Sequence, residues 1–438
     1  MENFQLWLAT GIFLVAFASI IFEFFDKTIV ALAGGALLIL TGILSFDEAV
    51  ESVDFEIIAL LAAMMVIVEI AQESGLFKVV NFRLAKYSKG NPFLIFLFFV
   101  LLTAAASAFL DNVTTILIVV PITVALVSGM GYNPFPFVIA EIMFSNIGGA
   151  LTLVGDPPNV LVGTAVGLSF NSFLIHLWIP ILAIILFTLV IFYVIKWKDL
   201  KPIHHHLPKL FVSNLLLKKI QYQYLRTRLD SRYMIIVASI LGLTILGFLL
   251  QFVLHLPIAV IALVGSLLLM LAVHKEIRVH HVFSKIEWPT LGFFAGLFVM
   301  VAGLEAVGLL EILAHWLVDL TDSFTLLILI IIWSAGLFSM VVDNIPFVTL
   351  MIPIIMNIQS TLPADPHNQI LWWALILGAA LGGNGTIIGA SANVIGTDLA
   401  KQSGVKITFL SYLKYSFPLT IAALIISSIY LVLWNIYF

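Results

Sequence analysis

Four acids lie inside long apolar runs: Asp111, Glu141, Asp156 and Asp343. No Lys or Arg occurs between Lys89 and Lys196, and none between Lys285 and Lys401. An ionised carboxylate at the centre of a bilayer costs roughly 2.5–3.5 kcal/mol on insertion scales. With no basic neighbour in the sequence, a proton, a bound cation or the N–H groups of a helix start must compensate it. The helix-start role is purely structural. Asp111-Asn112 before Val113-Thr114 reads as an N-cap, as does Asp343-Asn344 before Ile345-Pro346. The helix dipole helps such an Asp by roughly 0.3–1 kcal/mol, which covers only part of the burial cost. Capping combined with ion or substrate coupling is the expectation for both pairs.

A second constellation runs from Gly148-Gly149 through Thr152, Gly155, Asp156, Pro157-Pro158 and Asn159. Its partner runs from Gly382-Gly383 through Asn384, Thr386 and Gly389 to Asn393. Glycines permit close backbone approach, and two prolines end a helix. The expectation is an unwound break whose carbonyls and Asn/Thr oxygens point inward. Packing of small residues would explain the glycines, but not the Asn and Asp. Glu141, on the segment leading into the first break, is a proton-carrier candidate or a carboxyl hydrogen-bonded within the bundle; Leu375 stands at the corresponding place. Glu69 and Glu73 read as interfacial. His204-His205-His206 and His280-His281 read as solvated faces, since adjacent histidines on a helix do not face one site.

These residues need elements to hold them. The chain has 438 residues, 62% apolar and 10% charged, against roughly 45–50% and 25% in soluble domains. That excludes a soluble enzyme, a nucleic-acid binder and a disordered chain. There is no cysteine, hence no disulfide, thiolate site or thiol nucleophile, and neither cofactor nor metal is expected. No basic segment precedes the first apolar run, so it reads as a retained membrane helix rather than a signal peptide. Apolar runs fall at about 5–23, 28–46, 55–72, 92–127, 135–168 and 174–195, then 233–253, 257–273, 289–304, 324–357, 370–397 and 415–436. The four longest carry Gly, Pro, Asn or Asp and read as interrupted segments.

Nine of the 20 Lys/Arg lie between Lys196 and Arg232. With 196–232 cytoplasmic, every basic cluster and Lys27 fall inside, and both termini fall outside. Each half then has an odd number of crossings, so the halves are inverted. Asp111, Asn112 and Pro121 recur 232 residues later; Gly148, Gly149, Thr152, Gly155 and Asn159 recur 234 later; Asp54 and Gly75 recur as Glu287 and Gly308. The expected organisation is an all-α polytopic membrane protein. Repeat 1 spans 1–195, with a re-entrant hairpin at about 92–127 and a broken helix at about 135–168. The basic linker is 196–232. Repeat 2 spans 233–438, with its hairpin at about 324–357 and broken helix at about 370–397. Inverted repeats with broken helices mark secondary transporters. Neither His-Glu-x-x-His nor Gly-x-Ser-x-Gly occurs, and a channel fits inverted, interrupted repeats less well.

Phe109-Leu110-Asp111-Asn112-Val113-Thr114-Thr115, Gly155-Asp156-Pro157-Pro158-Asn159, Val342-Asp343-Asn344-Ile345-Pro346 and Gly382 to Asn393 resemble the ion transporter superfamily. Its branches include arsenical-pump permeases, NhaD-type sodium/proton antiporters, the P protein and sodium/dicarboxylate carriers. The resemblance covers nearly the whole chain and is nearest the arsenical-pump/P-protein branch. It implies a scaffold domain, a transport domain with opposed hairpins, elevator-type alternating access and a homodimer; a soluble ATPase subunit is a further partner expectation. Asp replaces the carriers' Ser at positions 111 and 343, which opposes a dianion. Asn112, Asn344, Thr152, Thr386, Asn159 and Asn393 suit a small trihydroxy species, so proton-coupled efflux of arsenite or antimonite in the inner membrane is the leading expectation. Sodium/proton exchange is second, an anion carrier third.

Overall fold

The computed structural model describes residues 2–196 apart from 23, position 200, and residues 231–437 apart from 322 and 364. Most of the basic linker, with His204, His205 and His206, lies outside the described residues.

The first half runs α1 (Glu2–Ile21), α2 (Lys27–Leu40), α3 (Phe46–Glu51), α4 (Phe55–Glu73), α5 (Leu76–Tyr87), α6 (Pro92–Ser107), α7 (Asn112–Gly129), α8 (Phe135–Gly149), α9 (Pro157–Ala165) and α10 (Phe170–Lys196). The second runs α11 (Ser231–Leu249), α12 (Ile258–Ala272), α13 (Val279–Ser284), α14 (Trp288–Ala306), α15 (Leu309–Asp319), α16 (Phe324–Ser339), α17 (Asn344–Thr361), α18 (Ile370–Gly382), α19 (Ser391–Gln402) and α20 (Phe409–Tyr437). Among the described residues, leaving aside the four-residue helix Gln251–Leu254, ten helices thus follow ten of similar length at each place.

Local chemistry explains the boundaries. Asp54 caps α4 through the N–H groups of Glu56 and Ile57, and Ser45 with Glu48 forms a capping box on α3. Gly75 and Gly308 start α5 and α15 at φ of 77° and 76°, a left-handed conformation that costs glycine nothing. The long runs resolve into helix pairs: 92–127 into α6 and α7, 324–357 into α16 and α17. The prolines act differently from expectation. Pro157 and Pro158 open α9 rather than end α8, which stops at Gly149. Proline suits a first turn because its missing N–H would have no intrahelical partner there. α5 falls outside the apolar runs because its polar face lowers the segment's mean hydropathy, and α15 because its 11 residues are interrupted by Glu311, His315 and Asp319.

Seven of the described helices are long and apolar enough to cross a membrane. Large apolar side chains stand exposed along them, among them Trp7, Val194, Ile235 and Leu433. A belt of this size belongs against lipid rather than water.

Two packing groups emerge. α2 lies against α1 and α14, and α12 against α4 and α11. In the other group α6 packs on α8 and α16 on α18, while α7 lies on α19 and α17 on α9. α5 joins the groups by touching α4 and α6; α15 joins them by touching α14 and α17. α18 is buried along its entire length and α8 nearly so. Gly148 lies on the backbone of Ala104, and Gly382 on that of Gly336. A Cβ at either would press on main chain, which cannot swing aside. Gly148→Ala and Gly382→Ala should therefore each destabilise the protein by about 1–3 kcal/mol, read as a lowered thermal midpoint in detergent. Gly11→Ala, with open space around it, should not.

Candidate functional site

The two Asp-Asn pairs form the turns between the helices of each hairpin. Asp111 caps α7: the N–H of Val113 donates to Oδ1 at 2.8 Å and that of Thr114 to Oδ2 at 3.0 Å, with the Thr114 hydroxyl also donating to Oδ2. Asp343 caps α17 more weakly, accepting only the Ile345 N–H at 3.3 Å. Its other oxygen takes Lys27 Nζ at 2.8 Å. That corrects the expectation that no cation reaches these acids. Lys27 is 316 positions away in sequence, and charge counting had grouped it with the loop cations. At side-chain exposures of 36% and 21% the pair contributes about 1 kcal/mol. The Phe293 ring lies 5.2 Å from the same ammonium.

The breaks are tied down by amides. Asn159 Nδ2 donates to the carbonyls of Gly149, Ala150 and Thr152 at 3.1, 3.3 and 2.8 Å. Asn393 Nδ2 donates to those of Gly383 and Thr386 at 2.7 and 2.8 Å. Thr152 donates to the Ala108 carbonyl, and Thr386 to that of Met340 at 2.5 Å. Each break is thereby fastened to the hairpin beside it. The donors expected to face a ligand thus satisfy backbone groups that unwinding leaves unpaired. Asn112 Oδ1 accepts from the Ser107 hydroxyl, and Asn344 Nδ2 lies 3.5 Å from Asp156 Oδ2.

Oxygens gather where tip meets break. A Cβ on Gly155 would press on the carbonyls of Gly149 and Ser107; one on Gly389 would press on those of Gly383, Ser339 and Met340. Asn159 Oδ1 is buried with no donor. Two cavities open beside the tips, each between the packing groups. One, about 140 Å³, has Asp111, Thr114 and Gly155 on one wall and Glu69, Lys285 and Glu287 on the other. The second, about 620 Å³, has Asp343, Ser391 and Val394 facing Asp26 and Lys27. Asp156 feels the charges of both Asp111 and Asp343, and Glu287 acts on Lys27. The cavities are therefore electrostatic neighbours.

Glu141 lines neither cavity. It is fully buried in α8 and accepts the Thr123 hydroxyl at 2.5 Å, with Oε2 unpartnered. His281 Nε2 stands 3.2 Å from Glu73 Oε1, and with Glu69 this is the densest histidine–carboxylate group among the described residues. It is partly exposed, and its Glu69 lines the first cavity with Asp111.

Three participants escaped the sequence reading. Asn146 Nδ2 donates to Asn384 Oδ1 and Asn393 Oδ1, both at 2.8 Å, and Asn384 Nδ2 returns to the Met143 carbonyl at 3.2 Å, bridging the halves. Its repeat position is Ala380, so a search for recurring residues passes over it. Lys27 has the same defect, since Ile258 opens α12 where Lys27 opens α2. Ser107 does recur, as Ser339, and could have been found.

The sequence pattern of the citrate transporter family, CitMHS, matches residues 17–378. The chain belongs to the citrate transporter family. Relatives of this CitMHS chain include the 46 kDa membrane protein of Mycobacterium leprae, 36% identical over 97% of both chains, and an uncharacterized transporter of Mycobacterium tuberculosis, 35% identical over 98% of this chain and 99% of its own length. The human P protein is 31% identical over 99% of this chain, which spans 60% of the P protein. The YdaH transporter of Alcanivorax borkumensis has a similar fold, with a TM-score of 0.54, 16% identity and coverage of 89% and 87%. The chain is a multi-pass membrane transporter and not an enzyme. The P-protein branch of the resemblance is among these relatives; the citrate transporter family is one the motifs had not singled out.

The bridge from Asn146 gives a direct test. Asn146→Ala leaves the Asn384 and Asn393 oxygens buried without a donor. Each orphan costs about 1–3 kcal/mol, so the thermal midpoint should fall well below that of Ser128→Ala, a change at an exposed position on α7.

Proposed function

We propose that this CitMHS transporter is coupled to cations and exchanges sodium against protons at the two hairpin tips. The carrying observation is the oxygen cradle between tip and break in each half, with carboxylates at its rim and the neighbouring amide donors committed to backbone. Main-chain and carboxylate oxygens are the ligands a hard cation takes. A trihydroxy solute such as arsenous acid needs free donors and acceptors around it. Asn159 and Asn393 have given their donors to the breaks, and Thr152 and Thr386 theirs to hairpin carbonyls, so sodium/proton exchange moves ahead of arsenite or antimonite efflux. A proton competes for the same carboxylates, which supplies the exchange.

The proposal includes two inverted repeats, with α6–α10 and α16–α20 moving as an elevator against α1–α4 and α11–α14, in an inner membrane with 196–232 cytoplasmic and both termini outside. The recurrence of ten helices in order, and cavities lying between the packing groups, support that assignment. A homodimer rests on the family resemblance. A second reading, cation-coupled movement of a carboxylate anion, is favoured by Lys27 and Lys285 lining the two cavities and by the family's description as citrate transporters.

Asn caps a helix about as well as Asp, so an amide isostere separates charge from capping. Asp111→Asn should keep the thermal midpoint within the equivalent of about 0.5 kcal/mol, yet lower sodium-driven proton release from proteoliposomes at least tenfold. Wild-type exchange by this variant would sink the proposal. Labelled citrate uptake driven by sodium, with no sodium/proton exchange, would favour the second reading.

A further inference from the structure

We propose that Lys27 is a tethered competitor for the cation at Asp343, and that the Lys27–Asp343 pair locks the hairpin α16–α17 onto α2. The competition half rests on the cation reading above; the lock does not.

Four observations converge. The pair joins the two packing groups, since Lys27 opens α2 and Asp343 caps α17. Whatever separates the groups must break it. Second, Lys27 is held by its own side. Asp26 caps α2, Thr28 donates to the Pro289 carbonyl at 3.0 Å, and Phe293 lies under the ammonium. The ammonium therefore stays where the tip would leave it. Third, a cation in the first turn of a helix opposes the macrodipole. A local rule broken without a local gain points to a role elsewhere, and Asp343 is where the charge is used. Fourth, the two tips differ. Asp111 accepts two backbone N–H groups, whereas Asp343 accepts one, and no described Lys or Arg lies within ion-pair distance of Asp111. Asp343 has turned one oxygen from its cap to Lys27.

The consequence is a division of labour. The Asp111 tip is open to an incoming cation, while the Asp343 tip already holds one that cannot leave. A carried cation must displace the ammonium to occupy Asp343. Displacement frees the tip from α2, and loss of the cation lets Lys27 return. An empty Asp343 tip is thereby kept locked.

The chain has no cysteine, so Val394→Cys, at an exposed residue lining the same cavity, provides a unique thiol. Maleimide labelling of Val394→Cys in sodium-free proteoliposomes reads the lock. Lys27→Met, which keeps the bulk and removes the charge, should raise the labelling rate at least fivefold. Asp343→Asn should do the same, the double variant should add nothing further, and Lys27→Arg should stay within twofold of the parent. Unchanged labelling in both single variants, or effects that multiply in the double, would overturn the lock. If Lys27→Met does not fold, Asp343→Asn reads the pair from its other side. Sodium should protect the thiol at about tenfold lower concentration with Lys27→Met than with Lys27. Equal concentrations would overturn the competition. Absence of sodium protection in every background, with labelling otherwise as expected, would count against sodium as the cation and leave the lock standing.

Discussion

Unwound backbone inside an apolar slab must find partners, because no water is there to provide them. The architecture follows from how this chain meets that demand. Each half stops a helix at paired glycines and restarts it a turn or two later. A single Asn amide, Asn159 or Asn393, takes up the freed carbonyls. A Thr hydroxyl pins each break to the neighbouring hairpin. The hairpin can come that close because Gly148 and Gly382 offer no Cβ to its backbone. Glycine, asparagine and threonine therefore recur in register as parts of one solution to one physical problem.

That solution leaves a surplus of acceptors. A carbonyl has two lone pairs and an amide nitrogen only two protons, so a cradle built from carbonyls and closed by amides is negative at its mouth. Asp111 adds a carboxylate in the first half, whereas Lys27 offsets that of Asp343 in the second. The same arrangement that satisfies the backbone is the one on which the proposed cation site rests, so the stability of the break and the proposed chemistry share residues.

The tip aspartates are common to both halves; other polar and charged positions are not. Asp156 corresponds to Ala390, Glu141 to Leu375, Lys27 to Ile258 and Asn146 to Ala380. The recurring residues form similar tip-and-break arrangements in the two halves, and these four departures make them unequal. Lys27 makes the largest difference, because it places a fixed cation at the Asp343 tip, while no described Lys or Arg pairs with Asp111.

The sequence by itself determined the membrane class, the broken runs, the tip and break residues and the recurrence of one half in the other. All of these depend on composition or on spacing along the chain. The capping by the tip aspartates was legible because a cap is a local interaction between residues two or three apart. The amphipathic helices α5 and α15 were not, since a polar face dilutes the hydropathy of α5 and α15 is too short an apolar stretch to register as a span. The direction of the break amides was also out of reach: an Asn beside glycines can serve a ligand or the backbone, and only the distances to the carbonyls distinguish the two. Lys27 beside Asp343 and Asn146 beside Asn393 needed the tertiary structure entirely, because each joins residues more than 200 positions apart and neither has a repeat partner to announce it. Their pairing is a product of how the two packing groups and the two halves meet, which no spacing along one chain encodes.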